Sequence, residues 1–258
     1  MPNLERFFNE GFTAADIAEP LVSFDAEKPA EDALALMDLR EFDYVGVRID
    51  GEIAGFIQRE SLGEGSCGDY LKDFEDAVIT TESCPLAVLI SNLQEKGVCF
   101  IKTFGKVNGI ITVSDLHKPP VRMWVFGMIT IIEMSFSQAI KRQYPRDKWK
   151  QYLSEARFEK AQELLKERAR RNQALGLVDC LQFADKGQIV ARSSALREQF
   201  DLPSRKMADR LIKELQKLRN NLAHSQDIIS SSFDIIAGLS ENLETIMSLQ
   251  EKINASGR

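Results

Sequence analysis

The stretch Leu218-Arg219-Asn220-Asn221-Leu222-Ala223-His224 contains one of only two histidines in a chain of 258 residues. Its residue types suit a definite chemistry. Cleavage of RNA without a metal needs a base for the 2′-hydroxyl proton, an acid for the leaving 5′-oxygen and a fixed cation for the charge that grows on the phosphate. Histidine titrates in the useful range, arginine is always charged and matches phosphate oxygens, and asparagine can orient either. One histidine does not easily fill both proton roles, so a dimer that joins two copies would supply the second. On a helix, Asn220 and His224 lie nearly above one another, whereas Arg219 and His224 are about 140° apart. An apolar stripe of Met207, Leu211, Leu215, Leu218 and Leu222 precedes and accompanies them, so the three polar groups are expected in a groove beside the core. The competing reading is structural: an imidazolium near a helix C-terminus is favoured by the dipole, and Arg219 has Glu214 and Asp227 within reach.

The elements that must hold these residues read as helices. Residues 204–224 open with a Ser204 cap, and 145–171 place Trp149, Tyr152, Leu153, Phe158, Ala161, Leu164 and Leu165 near helical spacing. Residues 174–191 are apolar and broken by glycines, which predicts short helices, and Ile229, Phe233, Ile236, Leu239, Leu243 and Ile246 outline a last one. The most apolar run, 121–136, carries Arg122 and Glu133 and is shorter than the ~20 residues a bilayer requires, so a buried core helix is expected. Glu133 is the candidate acidic partner of the motif, because an isolated buried carboxylate is costly without one. Lys166–Arg171 is basic without interleaved aromatics, the pattern of a solvated helix face or an RNA-backbone contact.

The half before Lys118 is different. Residues 1–118 carry 10 Lys/Arg against 22 Asp/Glu, and residues 119–258 carry 23 against 17. A basic half suits a polyanion, although solvated helix faces account for the same charge. In the acidic half a pattern of helix (30–42), strand (44–50), turn and strand recurs about 54 residues later as 85–97, 98–105 and 109–116, with Gly55 aligned on Gly109. One such unit is too small to stand alone, so the two form one domain. Pro119-Pro120 marks its end.

Each repeat resembles a CBS motif, and 12–118 resembles a CBS pair. The resemblance implies a regulatory module that binds adenine nucleotides such as ATP, ADP or AMP. The family's signature of Gly, two apolar residues, Ser/Thr and an Asp three residues on is present as Gly109-Ile110-Ile111-Thr112-Val113-Ser114-Asp115. Gly109, Ile111, Thr112 and Asp115 are therefore the candidate ligand residues; a carboxylate can accept from both ribose hydroxyls. In the first repeat Gln58 and Ser61 stand where Thr and Asp would be. A scaffold role, with Thr112 and Asp115 starting a helix, is the alternative.

Residues of about 120–250, all helical with Arg-Asn-x-x-x-His in the penultimate helix, resemble the HEPN superfamily. That resemblance implies a metal-independent ribonuclease, often a toxin or defence effector, acting as a homodimer on RNA through Arg219, Asn220 and His224, with Glu133 in support; it leaves room for an antitoxin or another protein as partner. The expected architecture is thus an α+β CBS pair of two βαββα-type repeats (1–118) followed by an all-α helical bundle (119–258). A nonenzymatic sensor or adaptor is the other class. Cys67, Cys84, Cys99 and Cys180 form no C-x-x-C pair, which indicates no metal site or disulfide framework and fits a reducing cytoplasm. The acidic N-terminus lacks the layout of an export signal, no membrane association is expected, and no phosphate-binding glycine loop or nucleophile elbow occurs.

Overall fold

The computed structural model describes residues 7–8, 10–74, 77–171, 173, 175–224, 226–230, 232–242 and 245–246, in two units, Met1–Val121 and Arg122–Arg258. After a 3₁₀ turn at Ala14–Asp16, the N-terminal unit runs through two short strands, β1 (Glu19–Pro20) and β2 (Ser23–Asp25), and continues into α1 (Ala30–Arg40), β3 (Tyr44–Ile49) and β4 (Glu52–Gln58). The second repeat follows as β5 (Lys72–Asp73), β6 (Val78–Thr81), α2 (Leu86–Lys96), β7 (Val98–Thr103) and β8 (Lys106–Thr112). In each repeat the helix connects two parallel strands and a hairpin adds the third. Both hairpins turn on two left-handed residues, Asp50-Gly51 and Phe104-Gly105, which fit the right-handed twist of the strands. The second turn therefore falls at the end of the expected strand 98–105, and β8 starts at Lys106 rather than at 109.

The repeats exchange their leading strands. β1, which precedes the first repeat, pairs with β8, and β5, which precedes the second, pairs with β4, giving sheets β1-β8-β7-β6 and β2-β3-β4-β5. The two motif glycines permit this exchange. A Cβ on Gly55 would lie 2.3 Å from the Lys72 carbonyl oxygen, and one on Gly109 would lie 3.0 Å from Ile101 Cβ and 3.4 Å from the Glu19 carbonyl oxygen. Phe56 and Phe100, with ring centroids 4.8 Å apart, and Phe74 against Phe100 at 4.9 Å form an apolar layer shared by both repeats. This is the core that neither repeat has alone.

Each repeat closes on a 3₁₀ turn, Arg59–Ser61 or Val113–His117, rather than on the second helix of the expected βαββα pattern. Gly63 and Gly65 follow the first. After the second, Lys118 is extended because it precedes proline, and the chain restarts as a new helix.

That helix, α3 (Pro119–Gln143), places both prolines in its first turn, where no amide donor is needed. It is 25 residues long, more than the apolar run, and by length and composition is long enough to cross a membrane; 56% of its apolar window is buried in the fold. A 3₁₀ segment, Pro145–Tyr152, buries Trp149 and contains left-handed Arg146 and Asp147, so the continuous helix expected from 145 begins only at α4 (Glu155–Arg170). A 3₁₀ turn at Leu177–Cys180 leads to α5 (Phe183–Arg192), α6 (Ser194–Gln199), α7 (Arg205–Ala223) and α8 (Phe233–Glu241). Ile229 precedes α8, and the expected core residue Leu243 lies outside the described residues.

The motif helix α7 starts at Ser204, whose Oγ accepts from the Met207 amide at 3.2 Å. Its buried side is Ala208, Ile212, Leu215 and Leu218, while Met207 is 57% and Leu211 37% exposed. The expected stripe is rotated because α7 packs on α5 through Gly187, where a Cβ would lie 2.4 Å from Ile212 Cγ2. That close approach points Ile212, rather than Leu211, at the core.

Candidate functional site

On the rotated α7 the polar residues divide between two faces. Lys206, Arg210, Lys213, Lys217, Asn220 and His224 are all exposed. Their spacing of 4, 3, 4, 3 and 4 keeps them within about 40° of one line, and that line runs about 27 Å along the helix. Arg219 falls instead on the continuation of the buried stripe and is half-buried. The groove expected to hold all three motif residues is therefore not formed within one chain: Arg219 turns inward, and Asn220 and His224 turn out along a basic row.

Arg219 meets Glu133 of α3, with Nη2 to Oε2 3.9 Å apart. Glu133 Oε1 accepts from Nζ of Lys186 at 2.8 Å, and the Lys186 side chain is only 7% exposed. Next to Lys186 on α5, buried Asp185 pairs with Arg157 of α4 and accepts from the Gln182 amide at 3.3 Å, at the positive end of the helix. Ion pairs thus link α4, α5, α3 and α7. Burial on this scale is tolerated because each charge has an opposite partner. Sequence reading singled out Glu133 but not Lys186 or Asp185. Glu214 and Asp227, the other expected partners of Arg219, are engaged elsewhere: Glu214 accepts from Arg210 at 3.0 Å, and Asp227 Oδ1 accepts from the Ile229 amide at 2.8 Å and the Ser230 amide at 3.2 Å.

The end of α7 is held by a residue that sequence reading passed over. Arg122 of α3 donates to the carbonyls of Gln226 at 3.0 Å, Asn221 at 3.1 Å and Leu222 at 3.2 Å. The Asn221 and Leu222 carbonyls belong to the last turn of α7, where carbonyls run out of helical partners, and Gln226 lies in the chain that follows, so one guanidinium fork ties the helix end to its exit. Asn221 Nδ2 adds a bond to the Asp227 carbonyl at 3.2 Å. His224 is the C-terminal cap, its amide donating to the Asn220 carbonyl at 3.1 Å.

In the N-terminal unit, Asp115 is already engaged. Its Oδ2 accepts from the Thr112 amide at 2.7 Å and the Thr112 hydroxyl at 3.2 Å, and its Oδ1 lies 2.9 Å from Lys118 Nζ. Lys118 also donates to the Ile17 carbonyl at 2.6 Å and pairs with Glu19. Burial alone would lower the Lys118 pKa, but the bonds and charges of Glu19 and Asp115 outweigh it and raise the pKa above its ordinary value. The same local motif occurs at Thr13/Asp16 and Ser66/Asp69, where the amide bonds are 2.7 and 2.8 Å. At the latter, the Ser66 amide and hydroxyl hold Asp69 below the usual carboxylate range. Gly109 lies under the exchanged strand β1, and Ile111 is a fully buried core residue. An open pocket of about 200 Å³ lies in the first repeat, lined by Asp43, Tyr44, Gln58, Arg59 and Glu60. There Gln58 accepts from Lys72, and Ser61 Oγ donates to the Gln58 carbonyl at 2.7 Å. Among the described residues no group of three or more His, Cys, Asp or Glu could hold a metal ion.

No protein-family model matches the sequence, and a search of curated proteins finds no match. Among solved structures, a hemolysin-like CBS-domain protein of Oenococcus oeni PSU is 17% identical, with a TM-score of 0.36 over 44% of this chain and 93% of its own. The CBS domain of a bacterial CNNM/CorC family Mg2+ transporter in complex with ATP is 18% identical, with a TM-score of 0.37 over 46% and 92%. CBSX2 in complex with AMP is 19% identical, with a TM-score of 0.35 over 41% and 93%.

Proposed function

We propose that the helical unit is a metal-independent endoribonuclease that works as a homodimer, and that the N-terminal unit is a CBS pair whose adenine nucleotide sets its activity. The observation that carries this reading is the single row on α7, in which four basic side chains lead to Asn220 and His224. Such a row binds a phosphate backbone without reading its bases. His224 takes the 2′-hydroxyl proton, the 2′-oxygen attacks phosphorus, and the P–O5′ bond breaks to leave a 2′,3′-cyclic phosphate and a 5′-hydroxyl. A second His224 protonates the leaving oxygen. Asn220 orients the histidine, and Arg219, held by Glu133, neutralises phosphate charge from a second copy, because within one chain it leaves the other side of α7. Met123, Phe126 and Met134, apolar yet exposed on α3, offer a surface for that copy.

Thr112 and Asp115 are the residues to hold ribose in the second repeat. Nucleotide has to displace Lys118 from Asp115, and that exchange gives the ligand a route to bias the state of the unit. The engagement of both Asp115 oxygens equally favours a second reading, a nonenzymatic scaffold or adaptor in which these bonds only build the turn. The test is incubation of an RNA pool in EDTA with the wild type and His224→Ala, with and without ATP or AMP. Cyclic-phosphate ends made by the wild type alone, at a rate that nucleotide alters, support the proposal. No cleavage under any condition by protein that binds nucleotide moves the assignment to the adaptor.

A further inference from the structure

A cavity of about 350 Å³ lies in the helical unit between α3, α7 and α8, on the side of α7 away from its basic row. Phe136, Phe200, Leu211, Leu215, Ile235 and Leu239 supply most of its apolar wall. Two features distinguish it from a packing defect. Gly238 is in the middle of α8 and lines the cavity, and a Cβ built on it meets no atom within 4 Å. Glycine inside a helix is unfavourable relative to alanine. Here no close approach of a neighbouring element requires it, so the residue costs helix stability and keeps space open. The second feature is charge. Asp201 and Asp234, both exposed, belong to the lining, and no Lys, Arg or His does.

From these features we infer that the cavity binds a small amphiphile with an apolar body and a cationic amine head, the body against the phenylalanines and leucines and the amine at the two carboxylates. The volume is in the range of small-molecule sites, and an apolar wall with a few polar groups of one sign selects both shape and charge. An anionic amphiphile would meet two like charges. This site is separate from the motif and does not depend on the ribonuclease reading.

Isothermal titration of the full chain with n-octylammonium, n-octanol and n-octanoate tests the inference. Octylammonium is expected to saturate one site about tenfold more tightly than octanol, with octanoate weakest. Gly238→Leu, which fills the space, removes binding while leaving the urea midpoint unchanged or higher. The surface pair Asp201→Asn/Asp234→Asn brings octylammonium down to the octanol value and leaves octanol binding intact. Octanoate binding as tightly as octylammonium, undiminished binding by Gly238→Leu, or no saturable binding of any probe overturns the inference. Self-association in sedimentation that Gly238→Leu abolishes would also overturn it, by assigning the cavity to a second copy.

Discussion

Replacing Glu133 by glutamine removes the charge that two cations share. Lys186, 7% exposed at its side chain, then keeps an ammonium ion in the protein interior with no counter-charge, whereas Arg219, 40% exposed, retains access to water. Breaking a buried pair from one side costs about 3–5 kcal/mol, while an exposed pair is worth about 1 kcal/mol or less. Glu133→Gln should therefore destabilise the helical unit by about 3 kcal/mol, nearly all of it through Lys186. Lys186→Met should cost less, about 1–2 kcal/mol, because the carboxylate left behind is partly exposed and still faces Arg219. Removing both charges in Glu133→Leu/Lys186→Met leaves a neutral contact and should return stability to within about 1 kcal/mol of the wild type. Urea unfolding followed by tryptophan fluorescence measures all three variants. The only two tryptophans, Trp124 and Trp149, are both buried in the helical unit, so the signal reports that unit. A Glu133→Gln cost below about 1 kcal/mol, or a double variant whose cost equals the sum of the singles, would refute the reasoning.

Three further outcomes follow from the same structure. If the α7 row holds single-stranded RNA through four phosphates, raising salt from about 50 to 200 mM weakens binding about 50-fold, and replacing Lys206, Lys213 and Lys217 by glutamine cuts that loss to about threefold; filter binding across salt concentrations checks the slope, and equal slopes would remove the row from the interface. Gly55→Ala should destabilise the N-terminal unit more than Gly109→Ala, by about 2–3 against 1–2 kcal/mol, because the first Cβ meets a backbone oxygen and the second a side chain; circular dichroism during urea unfolding ranks them. Burial, with Cys84 adding to it, pushes the Cys99 thiol up to about 12, and burial likewise raises Cys67 and Cys180. The folded state thus holds these thiols neutral, a contribution fully present below the ordinary thiol pKa and lost as pH climbs toward 12. Stability of the N-terminal unit should accordingly fall through that alkaline window, and Cys99→Ala should flatten the fall in urea melts taken at successive pH values.

Residues 30–116 were legible because alternation, helical spacing and two turns recur at one offset, and recurrence is a signal that single elements lack. What sequence could not give was the exchange of β1 and β5: strands of two residues have no periodicity, and only the glycines they cover mark their place. The closing turns were misread as helices because the residues that stop them, Gly63 and Pro119, lie beyond the motif itself. On α7 the apolar residues admit two neighbouring stripes that share Leu215 and Leu218, and the choice depends on Gly187 of another helix, so the sequence places the helix and those two core residues but not Ala208 and Ile212. The same reasoning explains the site. Glu133 stood out as a charge in an apolar run; Arg122 in that run and Asp185-Lys186 among apolar neighbours gave the same signal and also prove to be buried or partnered.

The proposed site takes His224 from both copies of the chain. Wild type and His224→Ala, unfolded together in equal amounts and refolded as a mixture, should retain about a quarter of the cleavage of the same total amount of wild type, since only the wild-type dimers hold two histidines. Cleavage that stays at about half, in proportion to the wild-type subunits, with mixed dimers present by native mass spectrometry, would contradict the account.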